Sequence, residues 1–373
     1  MKINVAVGTI EGFGGIKTLA EITKGLSKRG HQMSIVLIDP QPLIFDWGDQ
    51  TKIIVARSTL ESLKRKSVLA LNKIYGFYNA PYRFYAEKDD LIKVMPECDI
   101  NLSGNVGTVF AVYESKKGIP VHYLQHYESL IFKEQNIFMK EKFVESLSLP
   151  IYRIVNSIWL QGQLKQRHNL DVSIINPGLK SEMFYPRKVE KSSTKRIVSL
   201  AKNIEWKGFT DALEAVKLVR EKYPEIEFVT YGARCFHYNN PPTQFKFRCN
   251  LSDDELANLY SSADVVISAS WYESFPGPPF EAMACGVPVV TTSIGVEDYA
   301  RDGFNCLIVP PKNPQKMAEA IIKILENSSL AEQLSQNASA SVKKFTWEKT
   351  LDQFEQYFEE ILRQNKVSKY DKK

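Results

Sequence analysis

The chain has 373 residues, of which 44% are hydrophobic and 24% charged, and its formal net charge is +5 at pH 7. This length and apolar content suit two globular domains, and so mild a charge does not by itself indicate a nucleic-acid partner. No apolar run is long enough to span a membrane, and residues 1–7 have the character of a buried strand, so we expect a cytoplasmic protein without a signal peptide. Five scattered cysteines without metal-site spacing predict reduced thiols and neither disulfides nor zinc.

The first half of the chain predicts a Rossmann-like domain built from strands, loops and helices in alternation. A strand over residues 2–7 is followed by a glycine-rich loop over 8–15 and by a helix that ends at Gly30. Further strands are predicted at residues 33–38, 99–103 and 121–125. Turn-forming and charged residues between 174 and 193 indicate a linker. The first domain is therefore expected over residues 1–180.

The second half repeats the order of strand, loop and helix and predicts a second Rossmann-like domain over residues 181–345. Its predicted elements are a strand at 196–200, a loop at 201–208, a helix at 210–223, a strand at 227–231, a helix capped by Ser252 and Glu255, a buried strand at 264–270 and a helix from Asn313. Residues 346–373 are expected to form an amphipathic helix that crosses back to the first domain, with a frayed tail.

Two glutamates, Glu273 and Glu281, lie on either side of a glycine- and proline-rich turn that follows the buried strand 264–270. Open α/β sheets bind their ligands at the carboxyl ends of strands. Carboxylates there can accept hydrogen bonds from a polyol, and free amides at the start of the next helix attract an anion. A sugar nucleotide offers both hydroxyls and a diphosphate. The alternative is structural: Glu273 is a solvated loop charge, and Glu281 complements the helix dipole.

The motifs Glu273-Ser-Phe-Pro-Gly277, Glu281-Ala-Met-Ala-Cys-Gly-Val-Pro-Val-Val290 and Ala201-Lys202-Asn-Ile-Glu-Trp-Lys207-Gly208 occur in one order and at characteristic spacing. In this the chain resembles, over nearly its whole length, the retaining nucleotide-sugar glycosyltransferases of the bacterial "group 1" family, glycosyltransferase family 4. The resemblance implies an α/β fold of the GT-B type. In this fold two Rossmann-like domains face each other across a cleft, and the C-terminal helix packs back on the N-terminal domain.

The same resemblance implies the residues of the active site. The catalytic set is Glu273, His126, Lys207 and Lys202, and the donor-binding set is Glu281, Ser274, Phe275, Gly277, Gly14 and Gly15. Glu273 would contact the transferred sugar and Glu281 the ribose diol. The two lysines would stabilise the leaving diphosphate, which gains negative charge as the glycosidic bond breaks. Turn chemistry, surface charge and core packing remain alternative explanations for the lysines, the glycines and His126.

The chain departs from the family pattern at four positions. Ser274, Pro276 and Cys306 stand where glycine is usual, and Lys202 replaces an arginine. Proline removes one amide donor, and a lysine does not reproduce the bidentate guanidinium fork. No Asp-x-Asp motif is present, so neither a metal nor a cofactor is predicted, the sugar nucleotide being a substrate.

Residues 57–83 interleave lysines and arginines with tyrosines and phenylalanines. Because the resemblance places the acceptor in the N-terminal domain, one hypothesis is that this stretch binds a lipid-linked or anionic saccharide at the inner face of the plasma membrane. A solvated helix with core aromatics explains the same composition.

The sequence thus predicts an enzyme that transfers a sugar, with retention, from a nucleotide-diphosphate donor to a saccharide or lipid-linked glycan in cell-surface polysaccharide or glycoconjugate synthesis. Alternatives are a relative that uses water or phosphate as the acceptor, an epimerase, or a non-catalytic scaffold that binds nucleotide sugar. A dehydrogenase is disfavoured because neither half carries the dinucleotide fingerprint.

Overall fold

The computed structural model describes residues 1–8, 13–39, 45–57, 61, 80–132, 134, 136–190, 193–232 and 238–370. These residues form two compact units. The first comprises residues 1–156, 160–176 and 347–373, and the second comprises residues 157–159 and 177–346. Each unit is built on its own parallel β-sheet.

The first unit contains a seven-stranded sheet in the order β3-β2-β1-β4-β5-β6-β7. Its elements are β1 (Lys2–Val7), α1 (Phe13–Lys28), β2 (Gln32–Leu37), β3 (Lys52–Val55), α2 (Ala80–Val94), β4 (Ile100–Ser103), α3 (Val106–Ser115), β5 (Ile119–Leu124), α4 (Glu128–Ile131), α5 (Ile137–Leu147), β6 (Tyr152–Val155), α6 (Ile158–His168) and β7 (Ser173–Ile174). The central strands β1 and β4 are almost wholly buried, as expected for a parallel sheet covered on both faces.

The second unit contains a six-stranded sheet in the order β10-β9-β8-β11-β12-β13. Its elements are β8 (Arg196–Leu200), a 3-10 turn (Glu205–Lys207), α7 (Phe209–Lys222), β9 (Glu227–Gly232), β10 (Lys246–Cys249), α8 (Asp253–Ser261), β11 (Val265–Ser268), α9 (Gly277–Ala284), β12 (Val289–Thr292), β13 (Leu307–Val309), α10 (Pro314–Glu326) and α11 (Ser328–Val342). The predicted capping box of α8 is present, because Ser252 and Glu255 exchange hydrogen bonds.

The last helix, α12 (Trp347–Tyr370), belongs to the first unit. Its apolar face carries Leu351, Phe354, Phe358 and Ile361 into the core that β1, β2 and α1 also line. Just after α1, Arg29 forms an ion pair with Glu355 of α12, and His31 Nε2 lies 2.7 Å from Oε1 of the same carboxyl group. The amphipathic pattern read from the sequence is therefore explained by this packing.

Both sheets have a topological switch point, where the direction of strand succession reverses. In the first unit the chain moves outward from β1 to β3 and then returns to place β4 beside β1. In the second unit β11 returns beside β8 in the same way. The expected α/β fold with two Rossmann-like halves is thus confirmed. Ligands of such sheets bind outside the carboxyl ends of the strands at the switch point.

One expectation about cysteine chemistry is wrong. Cys98, Cys285 and Cys306 are free thiols, but Cys249, at the end of the edge strand β10, is disulfide-bonded. Cysteine spacing in the sequence carries no distance information between segments that meet only in the fold.

Candidate active site

The loops that follow β8 and β11 meet at the switch point of the second sheet. Lys202 and Lys207 lie on the loop after β8, and Glu273 lies on the loop after β11. The structure therefore brings together, within one unit, two residues predicted as catalytic from separate segments of the sequence, Lys207 and Glu273, and it places Lys202 on the same loop as Lys207.

The Lys207 ammonium and the Glu273 carboxylate form a direct ion pair through Glu273 Oε1. The side chain of Lys207 is 13% exposed and that of Glu273 only 6%, so water screens the pair weakly. Ser270 Oγ donates a 2.9 Å hydrogen bond to the same carboxylate oxygen. Drawing either partner away from so buried a pair would leave the other charge uncompensated.

Two glycines allow these loops to approach. Gly208 has φ +63°, and a Cβ there would lie 2.0 Å from the Ala269 carbonyl oxygen. Gly295 has φ +89°, and a Cβ there would lie 2.3 Å from the Glu273 carbonyl oxygen. Both positions combine a left-handed backbone with contact against another backbone, so only glycine fits. Gly208 belongs to the predicted Lys-Gly motif, whereas Gly295 was not recognised from the sequence.

Trp206 packs beside the Lys207 ammonium and is itself stacked on Tyr272. The Lys207 ammonium lies 4.4 Å from the centre of the Trp206 ring, a cation–π contact, and Tyr272 stacks on Trp206 with ring centres 5.3 Å apart and planes at 16°. The Trp271 amide donates to the Trp206 carbonyl at 2.7 Å, which ties the two loops together. These contacts fix Lys207 beside Glu273.

Glu281 is the fifth of the eight residues of α9 and contacts the buried Tyr260. The Tyr260 hydroxyl donates to Glu281 Oε2 at 3.5 Å, and Tyr260 in turn is hydrogen-bonded to Tyr231, at the end of β9. Burial raises the pKa of Tyr260 well above its usual 10, so its hydroxyl stays protonated and can act as the donor. Sequence reasoning placed Tyr260 in the core and missed this polar role, because a buried tyrosine in an amphipathic helix looks like any other core residue.

The amino end of α9 offers fewer amides than the sequence suggested. Pro276 is the N-cap, the helix begins at Gly277, and Pro278 and Pro279 follow. Three of the four residues whose amides are free at a helix start are thus prolines, which have no N–H group. The sequence led us to expect several free amides at this helix start, facing a diphosphate. Among these four positions only Gly277 carries an N–H group.

The side chains of Ser274 and Phe275 point to structural partners. Ser274 is fully buried and its hydroxyl is hydrogen-bonded to that of Ser157 at 2.9 Å. Phe275 packs against the rings of Phe280, Tyr299 and Phe345. Any contact of these two residues with a donor would come from their backbone.

The predicted site residues of the first unit lie at the carboxyl edge of its sheet. Gly14 and Gly15 are in the first turn of α1, so the helix begins within the loop predicted over residues 8–15. A Cβ on Gly15 would lie 3.2 Å from Gln125 Nε2. Gln125 follows β5 directly and His126 comes next, partly exposed. Gly15 and the segment that carries His126 are therefore neighbours.

Glu128 occupies a buried position beyond His126. Its Oε1 accepts a 2.9 Å hydrogen bond from the Val106 amide at the start of α3. Burial raises the pKa of Glu128 from its usual 4.5 to about 8, and the amide contact opposes this shift. Glu128 therefore caps a helix in addition to any role near a ligand.

Some predictions concern residues that the structure does not describe. The basic and aromatic stretch 57–83 lies mostly outside the described residues, which there include only Arg57, Glu61 and 80–83. Gly12 and residues 233–237 also lie outside them. Among the described residues, no helix is long and apolar enough to cross a membrane. Within these same ranges no group of three or more His, Cys, Asp or Glu is arranged to hold a metal ion.

Comparison with known proteins bears on both units. Residues 182–341 match the family model "Glycosyl transferases group 1". The D-inositol 3-phosphate glycosyltransferase of Streptomyces bingchenggensis is 34% identical over 105 residues, which are 28% of this chain and 23% of that protein. The chain thus spans about a quarter of the length of this curated relative.

Solved structures resemble the whole chain. Sucrose-phosphate synthase from Thermosynechococcus elongatus has a TM-score of 0.78 at 16% identity, covering 97% of this chain and 99% of that one. HepE of Anabaena, in complex with UDP-glucose, has a TM-score of 0.75 at 17% identity and covers 96% of this chain and all of that one. At such low identity these likenesses establish the fold, which is of the GT-B type.

Proposed function

We propose that the protein transfers a sugar from a nucleoside-diphosphate donor to a hydroxyl acceptor. The match of residues 182–341 to the group 1 glycosyltransferase model supports this proposal. The observation that carries this proposal is the buried pair of Lys207 and Glu273 at the switch point between β8 and β11. An ammonium group suits a diphosphate and a carboxylate suits sugar hydroxyls, and a donor presents these two groups side by side.

In this reaction Lys207, with Lys202 on the same loop, stabilises the diphosphate as it leaves. The bond between the anomeric carbon and the β-phosphate oxygen breaks, and negative charge grows on that oxygen. Glu273 accepts hydrogen bonds from the transferred sugar. His126 is assigned to the transferred sugar by the same family resemblance.

Glu281 binds the ribose of the donor. A carboxylate accepts from both hydroxyls of a vicinal diol, and the Tyr260 hydroxyl holds Glu281 Oε2 in place. The backbone of Ser274, Phe275 and Gly277 lies between the two glutamates in sequence and faces the diphosphate.

The reaction proceeds with retention of configuration and without a divalent metal, and its acceptor is a saccharide or lipid-linked glycan of a cell-surface polymer. These features follow the family that the sequence resembles, and contact with the membrane surface belongs to the same proposal. Lysines in place of a metal supply the positive charge. Transfer that persists in EDTA and yields the donor's anomeric configuration supports these points.

The test is a thermal-shift screen with UDP- and GDP-linked sugars, beginning with UDP-glucose, followed by transfer assays with saccharide acceptors. A donor that binds only the folded state raises the melting temperature. Lys207→Ala and Glu273→Ala should each lower kcat/KM at least about a hundredfold, in line with the loss of charge stabilisation in a transition state. Full activity in either folded variant contradicts the assignment.

A non-catalytic protein that binds nucleotide sugar is the second candidate. It is favoured by the prolines at positions 276, 278 and 279, which leave α9 a single free amide for the diphosphate. Donor binding measured by calorimetry, without turnover across a broad panel of acceptors, would select this function.

A further inference from the structure

We propose that Glu273 makes the site selective for sugar-bearing over sugar-free nucleoside diphosphate, because the diphosphate must compete with Glu273 for Lys207. This inference rests on the proposed function and adds to it a role in release of the nucleotide product. Its basis is the direct ion pair between Lys207, which is proposed to bind the diphosphate, and Glu273, which is proposed to bind the sugar.

The pair is already satisfied before any ligand binds. Glu273 Oε1 accepts hydrogen bonds from the Lys207 ammonium and from the Ser270 hydroxyl. The centre of the Trp206 ring lies 4.4 Å from the ammonium. Removing one partner of a buried pair leaves the other charge uncompensated, which is costly. A diphosphate that draws Lys207 away, or shares it, therefore places its own charge beside a buried carboxylate.

The start of α9 has few free amides to bind a diphosphate. With prolines at the N-cap and at the second and third positions of the helix, only Gly277 can donate from the helix start. The diphosphate consequently depends on side-chain cations more than it would at a helix with four free amides. Lys207 is a side-chain cation that the structure holds in a defined contact, beside Glu273.

The sugar-free and sugar-bearing nucleoside diphosphates differ in charge. A terminal phosphate has a second pKa near 6 and so carries close to two negative charges at pH 7, whereas a phosphate esterified to a sugar carries one. The carboxylate of Glu273 repels the sugar-free product more strongly. With the intact donor, hydroxyl groups of the sugar donate to Glu273 and offset the loss of Lys207. Glu273 therefore favours the donor and disfavours the product.

The experiment measures dissociation constants of UDP, UDP-glucose, GDP and GDP-mannose for the wild-type protein and for Glu273→Gln, by calorimetry at low ionic strength. The amide keeps the shape of the side chain and its hydrogen bonding to hydroxyls but removes the charge. We expect the nucleoside diphosphate that binds the wild type to bind the variant about tenfold more tightly, with a smaller gain or a loss for its sugar conjugate. The ratio of the two affinities should fall accordingly.

The matched control is Glu319→Gln, which removes the carboxylate of an exposed Lys316–Glu319 pair on α10 in the same unit. This variant should leave all four constants unchanged. If Glu273→Gln binds the nucleoside diphosphate no more tightly than the wild type does, the inference is overturned. If the wild type binds none of the four ligands, the proposed function fails instead.

Lys207→Gln gives an independent answer should Glu273→Gln not fold. It leaves Glu273 charged and unpaired, so the variant should lose more affinity for the nucleoside diphosphate than for the sugar conjugate. Equal losses for the two ligands would overturn the inference.

Discussion

The Tyr260 hydroxyl connects a tyrosine at the end of β9 with the carboxylate that we assign to the ribose. Tyr260 and Tyr231 are both buried, and their hydroxyls have each other as partners. Because only Tyr260 reaches Glu281, the two hydroxyls have separable roles. Tyr260 orients Glu281, whereas Tyr231 completes the hydrogen bonding of Tyr260.

Replacing each tyrosine by phenylalanine should separate these roles. Both variants leave one buried hydroxyl with fewer partners, so we expect each to lower the free energy of unfolding by about 1–3 kcal/mol in urea titrations. Tyr260→Phe should in addition weaken donor binding several-fold, because Glu281 loses its donor. Tyr231→Phe is the matched control, and an equal loss of donor affinity in that variant would contradict a positioning role for Tyr260.

Gly208 fixes the path of the chain immediately after Lys207. In Gly208→Ala the new methyl group would overlap the Ala269 carbonyl oxygen at a backbone conformation that favours glycine. We expect the unfolding free energy to fall by more than about 1 kcal/mol, and donor affinity to fall as Lys207 shifts from Glu273. Gly162→Ala is the control, since a Cβ on Gly162 meets no atom within 4 Å inside α6, and this change should be neutral or slightly stabilising. Donor binding by Gly208→Ala with wild-type affinity would show that the loop tolerates a side chain.

The helix α12 contributes large side chains to the core of the first unit. Phe354 and Phe358 are fully buried, and the Phe354 ring meets Tyr123 of β5 edge to face with centres 5.3 Å apart. The helix also approaches α1 closely, because a Cβ on Gly25 would lie 2.4 Å from Leu351 Cδ1. α12 therefore forms part of the core of the first unit.

Phe354→Ala should lower the free energy of unfolding by about 3–5 kcal/mol, as is typical when a large buried ring is replaced by a cavity. The measurement is chemical denaturation followed by circular dichroism. Glu359→Ala on the exposed side of the same helix should change stability by less than about 0.5 kcal/mol. A small effect of Phe354→Ala would mean that α12 is dispensable for the core.

Two buried groups of the first unit make the stability of the protein depend on pH in opposite directions. His122 is fully buried on β5, and neither ring nitrogen has a hydrogen-bond partner in the part of the chain that the structure describes. Burial, with a smaller effect of the Arg153 charge, lowers the pKa of His122 to about 3. Burial raises the pKa of Glu128 to about 8.

The low pKa of His122 predicts loss of stability in acid. The unfolded histidine takes up a proton near pH 6.5, whereas the folded one does so only near pH 3. Between these values the unfolded state binds more protons, so the free energy of unfolding decreases as the pH is lowered. His122→Leu should flatten this dependence in urea titrations between pH 6.5 and 4. An unchanged slope would assign the acid sensitivity to other groups.

The raised pKa of Glu128 has the opposite consequence. Here the folded state binds the extra proton between pH 4.5 and 8, so the contribution is full below pH 4.5 and is lost as the pH rises through 8. Glu128→Gln, which stays neutral and can still accept from the Val106 amide, should remove the decline between pH 4.5 and 8. If the variant declines as the wild type does, Glu128 is ionised in the folded protein.

The sequence predicted the central part of each sheet well, because buried parallel strands are recognisable as apolar, β-branched runs. Residues 196–200 and 2–7 were predicted with the bounds observed. The edge strand β3 was missed, since its residues are largely exposed and follow no core pattern. The short polar edge strand β10 was missed for the same reason.

For the candidate site, the sequence predicted which residues follow the strands but not how they pair. Lys207 and Glu273 are 66 positions apart, and their ion pair depends on β11 returning beside β8. The buried contact of Tyr260 with Glu281 depends in the same way on tertiary structure. Motif spacing contains no such distances, so the roles of individual side chains required coordinates.

The chain order of the first unit bears on how the protein is made on the ribosome. That unit is interrupted after residue 176 and resumes at Trp347, so the aromatic side chains of α12 that complete its interior are synthesised after the whole of the second unit. Translation proceeds slowly enough for a domain to fold as it emerges. We therefore expect nascent chains stalled well beyond residue 346 to have a protease-resistant 177–346 segment while the earlier segment is still cleaved. Resistance of residues 1–176 before α12 leaves the exit tunnel would show that this segment matures without its final helix.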